Sequence, residues 1–142
     1  MNSPNNSSFT PFVEHLGAEF VRAEGGSSEI LLRLQPHHLN GLGVAHGGVV
    51  MTLLDVTMAL AARSADPANM AVVTIEMKTS FLRPAKGVLH AFGDCDHRST
   101  SMAFCRAVLK DEAGRLLAQA MGTFRRMPVV HRSSRASGAL AD

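Results

Sequence analysis

Between Arg33 and Arg63 the chain carries one formally charged side chain, Asp55, and it sits among Val49, Val50, Met51, Leu53, Leu54, Val56, Met58 and Leu60. Nothing in this run breaks a helix before Asp66-Pro67, and a loop punctuated by Gly41 and Gly43 leads into it from Asn40. The stretch predicts a loop feeding a helix from about His46 to Ser64. A helix that is apolar nearly all round is normally buried. A carboxylate carried in with it is costly unless it is paired. Asp55 therefore needs a partner or a function. It accepts hydrogen bonds as a structural cap, or it does chemistry, and both kinds of carboxylate are perturbed alike.

Helical geometry adds a second constraint. The nine steps from His46 to Asp55 turn through about 900° and rise about 13–14 Å, a net half-turn. The two residues point to opposite sides of one helix. If a single site uses both the helix N-terminus and the carboxylate, two copies of the helix must supply them.

Length and charge bound the rest. A chain of 142 residues, 46% hydrophobic and 18% charged, is expected to form one domain with a real core. The net charge of +2 includes Arg132 and Arg135 near the C-terminus, so the body is close to neutral and has no electrostatic footprint for nucleic acid. No basic region followed by an apolar run opens the sequence, and no uninterrupted apolar segment is long enough for a bilayer, so the expectation is a cytoplasmic protein without a membrane partner. Cys95 and Cys105 make no disulfide framework and read as small apolar fillers. His37 and His38 do not recur with His46 at ligand spacing, so no metal is expected. There is no G-x-S-x-G elbow and no G-x-G-x-x-G fingerprint, which disfavours a serine hydrolase and a dinucleotide site.

In order, residues 1–8 read as a disordered N-terminus, and Thr10-Pro11 opens a short helix that Gly17 ends. Two strands, 18–23 and 28–34, flank a Glu24-Gly25-Gly26-Ser27 turn, and the central helix follows. From Ala71 to Leu82 the residues Val73, Ile75, Met77, Thr79 and Phe81 alternate with Thr74, Glu76, Lys78 and Ser80, the pattern of a half-buried strand. Strands at 88–97, 102–110 and 115–126 complete a single domain over 9–127, and 128–142 reads as a disordered tail. Hairpin connections give an antiparallel sheet. Its apolar face needs a cover, and the central helix is the element long enough to be one. The expected class is α+β, a curved antiparallel sheet wrapped around one long helix.

Asn40, Gly43, His46-Gly47-Gly48, Leu53 and Asp55, continued by Met77–Gly87 and the turn starting Asp111-Glu112-Ala113-Gly114, resemble the signature of hotdog-fold acyl-CoA thioesterases of the phenylacetate-degradation-related, or PaaI-like, group. The resemblance covers about residues 31–125. It implies that the Gly47 N–H polarises the thioester carbonyl, with Asn40 and His46 orienting nearby groups. Asp55 of the other subunit would act as general base on water or attack directly, and the Thr74 hydroxyl would help place the water. Apart from the resemblance, Met51 and Met58 share a helical face with Asp55 and read as core, though a pocket for an acyl chain could use the same residues, which makes them, with Gly48, the candidates for substrate contact. The turn Arg98-Ser99-Thr100-Ser101 stands where relatives often read Arg-Gly-Arg-Ser near the phosphates of coenzyme A, so Arg98, Ser99 and Ser101 become candidates for that contact. The implied assembly is a homodimer with shared sites, pairing further into a tetramer. The implied activity is hydrolysis of an aromatic or medium-chain acyl-CoA with no cofactor, and the alternative is a non-catalytic acyl-CoA-binding dimer.

Overall fold

The structure, a computed structural model, describes residues 9–66, 68 and 70–128. Both expected disordered segments thus lie outside the described residues, apart from Pro128, which leaves the last strand. Helix α1 (Pro11–Leu16) starts on proline at its first turn and stops at Gly17, whose φ of 90° is the left-handed value that a side chain disfavours. Strands β1 (Glu19–Glu24) and β2 (Ser27–Arg33) are joined by Gly25-Gly26 alone. Both glycines have positive φ, as the two-residue hairpin turn matched to strand twist requires. A 3-10 turn (Pro36–His38) then leads through the loop to helix α2 (Gly47–Ser64), followed by β3 (Ala71–Phe81), β4 (Val88–Arg98), β5 (Met102–Lys110) and β6 (Leu116–Met127).

All six strands form one antiparallel sheet in the order β1-β2-β4-β5-β6-β3. Helix α2 carries the chain from β2 across the sheet to its far edge, so it packs against every strand. Its buried side, Val50, Leu53, Leu54, Met58, Ala61 and Ala62, meets Ile30, Leu32, Leu89, Leu109 and Phe124 from the sheet. The approach is close where glycine allows it. A Cβ on Gly93 would fall 2.6 Å from Thr57 O and 2.7 Å from Ser28 Oγ. By length and composition α2 could cross a bilayer, with a mean hydropathy of 1.2 over 18 residues. Here its apolar side lies on the sheet instead.

Two expectations change. Helix α2 is covered on one side only: Gly47 and Gly48 are exposed, and Met51, Asp55, Val56, Ala59 and Leu60 are half-buried. The alternation read into β3 also fails at its start. A bulge between Thr74 and Glu76 inserts one residue against β6, so Thr74, expected on the solvent side, pairs with the buried Phe124 and faces α2, as Met77 does beyond the bulge. Val73, Ile75 and Phe81 are left about half exposed on this edge strand.

Candidate active site

The uncovered side of α2 carries Asp55, and the bulge in β3 brings a hydroxyl to it. Thr74 Oγ1 donates to Asp55 Oδ1 at 2.6 Å. Among the described residues Oδ2 has no donor, so one carboxylate oxygen is fixed and the other is open. The pair faces a cavity of about 250 Å³ lined by Phe9 and Val13 at α1, Val56 and Leu60 of α2, and Val72, with Thr10 and Arg63 as further polar groups. An apolar cleft with few, placed polar groups is the usual form of a small-molecule site. The contribution of α1 was not read from the sequence. Its signal is Val13 and Leu16, spaced for one side of the short helix, with Phe9 just ahead of the N-cap Thr10.

The other end of α2 is built by its lead-in loop. Asn40 N–H donates to Val44 O at 2.8 Å, and Asn40 Oδ1 accepts from Leu42 N–H at 2.9 Å and Val44 N–H at 3.3 Å. Gly43 turns the chain at φ 74°. The base of the loop rests on His38, which is 2% exposed. His38 Nδ1 accepts from Gln35 N–H at 2.9 Å, which leaves Nε2 as the donor to Leu16 O at 2.7 Å, and His38 O accepts from His46 N–H at 2.9 Å. His46 occupies the N-cap position without capping by its side chain. The amides of Gly47 and Gly48 have no carbonyl a turn earlier to bond and stand at the positive end of the helix dipole. Gly47 opens on a second cavity, about 310 Å³, lined by Val44, Val50, Phe81, Leu82 and Pro84 among others.

The predicted residues thus fall into two groups. Asn40, His46, Gly47 and Gly48 stand together at the helix N-terminus. Asp55 and Thr74 stand together at mid-helix. No lining residue is common to the two cavities. Met51 is half-buried and lines neither. Met58 is fully buried against Gly122, where a Cβ would lie 3.1 Å from its Sδ, and so belongs to the core rather than to an acyl pocket.

The turn at Arg98–Ser101 is held by charges distant in sequence. Arg98 Nη1 donates to Ala65 O and lies 3.5 Å from Asp66 Oδ1. Arg126 donates to Asp66 Oδ2 and to the carbonyls of Ser99 and Thr100. Ser99 Oγ accepts from Met102 N–H at 3.1 Å, and Ser101 O accepts from Arg126 N–H at 2.8 Å. The Asp66 carboxyl is held below the ordinary aspartate range, first by the Arg126 hydrogen bond and then by the Ala68 N–H, against the opposing effect of burial. In this chain Arg98 is engaged at the foot of α2. Among the described residues no three His, Cys, Asp or Glu side chains converge as a metal site would require.

Comparison with known proteins adds the following. Residues 42–118 match the family described as the Thioesterase superfamily. A protein of Saccharolobus solfataricus named as a candidate esterase is 30% identical over 110 residues, 77% of this chain and 78% of its own length. One from Halobacterium salinarum, named likewise, is 41% identical over 86 residues, and the chain spans 56% of its length. The structure of a conserved protein from Pseudomonas aeruginosa superposes with a TM-score of 0.83 at 27% identity, covering 88% of this chain and all of that one. A variant of the phenylacetic acid degradation protein PaaI from Thermus thermophilus gives 0.75 at 28% identity over 83% of this chain and 100% of its own.

Proposed function

The chain belongs to the Thioesterase superfamily, as a hotdog-fold hydrolase with PaaI-like relatives, and from that premise we propose that it hydrolyses acyl-coenzyme A in sites shared between two copies of itself. The observation that carries the reading is the Thr74–Asp55 hydrogen bond facing an apolar cavity, with the second carboxylate oxygen open. The open oxygen takes a proton from water, or attacks the carbonyl carbon itself. The charge that develops on the thioester oxygen is met by the Gly47 N–H at a helix N-terminus, where a fixed donor needs no reorganisation.

Within one chain Gly47 and Asp55 are eight residues apart, about 12 Å along the helix, and open on different cavities. A second copy set against the uncovered side of α2 and the open edge of β3 supplies the missing half and covers Val73 and Ile75. The aliphatic and aromatic side chains that make up most of both linings, beside Arg83 in one and Arg63 in the other, suit an aromatic or medium-chain acyl group. A Streptococcus mutans protein of the same fold, 24% identical with a TM-score of 0.73, has been crystallised bound to acetyl-CoA, so the fold accommodates such a ligand.

Thiol release from a panel of aromatic and medium-chain acyl-CoAs, read with a chromogenic thiol reagent, tests the activity. Turnover by the wild type and its loss in a folded Asp55→Asn variant are expected. Tight binding of the acyl-CoAs without thiol release would replace the reading with the non-catalytic dimer.

A further inference from the structure

The two cysteines of the chain are direct cross-strand partners, Cys95 on β4 and Cys105 on β5. Both side chains point toward α2: Cys105 in the buried series Ala103, Ala107, Leu109, and Cys95 in the series Leu89, Ala91, Gly93. The Cys95 N–H is directed away from β5 and donates to Gly26 O at 2.8 Å. The pair is therefore of the kind whose backbone groups do not bond each other, in which facing Cα atoms stand about 4.5 Å apart. A disulfide spans Cα separations of roughly 4.4–6.8 Å, so the strands need not slide for the sulfurs to join. The bulge that follows, between Cys95 and His97, adds local freedom on the β4 side.

The two thiols differ in the way such chemistry requires. Cys95 is half-buried, with its Sγ 3.6 Å from His97 O near the surface. Cys105 is 3% exposed, and burial first, then the neighbouring Cys95, pushes its thiol well above the usual range. An oxidant meets Cys95. Cys105 waits behind it as a thiol.

We propose that Cys95 and Cys105 form a reversible redox pair, in which a hydroperoxide oxidises Cys95 and Cys105 resolves the product into a cross-strand disulfide. In the first step the Cys95 thiolate attacks the peroxide, the O–O bond breaks, and Cys95 becomes a sulfenic acid as hydroxide or alkoxide leaves. In the second the Cys105 sulfur attacks the Cys95 sulfur, the S–O bond breaks, and the departing hydroxide takes the Cys105 proton as water. Two thiols lose two electrons in all, the peroxide gains them, and a dithiol reductant reverses the change by exchange. The new bond closes the hairpin that carries Arg98–Ser101.

The full-length folded protein is treated with hydrogen peroxide, alkylated in denaturant, and examined by intact mass and by peptide mapping without reduction. The expected result is loss of both alkylatable thiols, a mass decrease of two hydrogens, one peptide pair joined through Cys95 and Cys105, and full reversal by dithiothreitol. Cys105→Ser is expected to trap Cys95 as a sulfenic acid that reacts with a dimedone probe, and Cys95→Ser to leave the Cys105 thiol intact at the same dose. The proposal is overturned if wild-type Cys95 accumulates as sulfenic or sulfinic acid while Cys105 stays alkylatable, or if the disulfides formed join separate chains. Should either serine variant fail to fold by circular dichroism, the wild-type map decides alone.

Discussion

Replacing Gly47 by proline deletes one N–H and little else. The first helical position tolerates proline, and His46 with ψ 143° already has the extended backbone that proline imposes on the residue before it. A Cβ at position 47 would meet only the Phe81 ring, at 3.5 Å, which is ordinary contact. If that amide receives the developing oxyanion, its loss should lower kcat by about 10²–10³. Asp55→Asn keeps an acceptor for Thr74 but loses the base, which should cost about 10²–10⁴. Each variant alone is then nearly silent. Mixed in equal amounts and allowed to exchange, half of the dimers are heterodimers, each with one site intact and one doubly damaged, so about one quarter of wild-type turnover should return. Native mass spectrometry establishes the exchange, and thiol release measures the recovery. Activity that stays at the sum of the two parents despite proven exchange would refute the shared-site argument, because each subunit would then hold a complete site.

Three further outcomes are expected. Thr74→Val removes a hydrogen bond to a charged group, worth about 1.5 kcal/mol at the low end of its class, so the melting temperature should fall by a few degrees and kcat/KM about tenfold; an equal kcat/KM would leave the hydroxyl with no role in orienting Asp55. Gly93→Ala places a Cβ against the Thr57 carbonyl and should destabilise by about 1–3 kcal/mol, read as a lower urea midpoint; no change would mean that α2 lies farther from β4 than described. Because the Asp66 carboxyl is depressed in the folded state, its contribution is complete above the ordinary aspartate value of about 3.9 and is lost as the pH falls through the depressed one. Asp66→Asn should therefore lower stability at neutral pH and flatten the acid decline seen in urea midpoints, and an unaltered decline would assign that limb to other carboxylates.

The parts of this molecule that local chemistry decides were legible in its residues. Thr10-Pro11, Gly17, Gly25-Gly26 and His46-Gly47-Gly48 mark element boundaries to within about a residue because each encodes a backbone preference that neighbours do not override. Asp55 stood out because a carboxylate among aliphatic side chains is conspicuous on hydropathy alone. The side to which Thr74 points was not legible: nothing in Val73-Thr74-Ile75-Glu76 announces a bulge, which arises from pairing with β6 about fifty residues on. The commitment of Arg98 to Asp66, and of Arg126 to both Asp66 and the Ser99–Thr100 carbonyls, depends on residues brought together only by the folded sheet. Met58 stood open between core and acyl pocket for a related reason. Periodicity places it on the helical side near Asp55 but cannot say where the sheet stops, and Gly122 lets it sink into the core.

The strand order also sets when the site can exist. Strands β4, β5 and β6 follow one another through short turns and can zip locally, whereas β3 is made before them and has no partner until β6 is in place. The hydroxyl that fixes Asp55 arrives on that waiting strand, so the carboxylate lacks this support until β3 has paired with β6. In a refolding experiment turnover is therefore expected to return after most helix and sheet signal, with a lag that covers both the docking of β3 and the association of two copies.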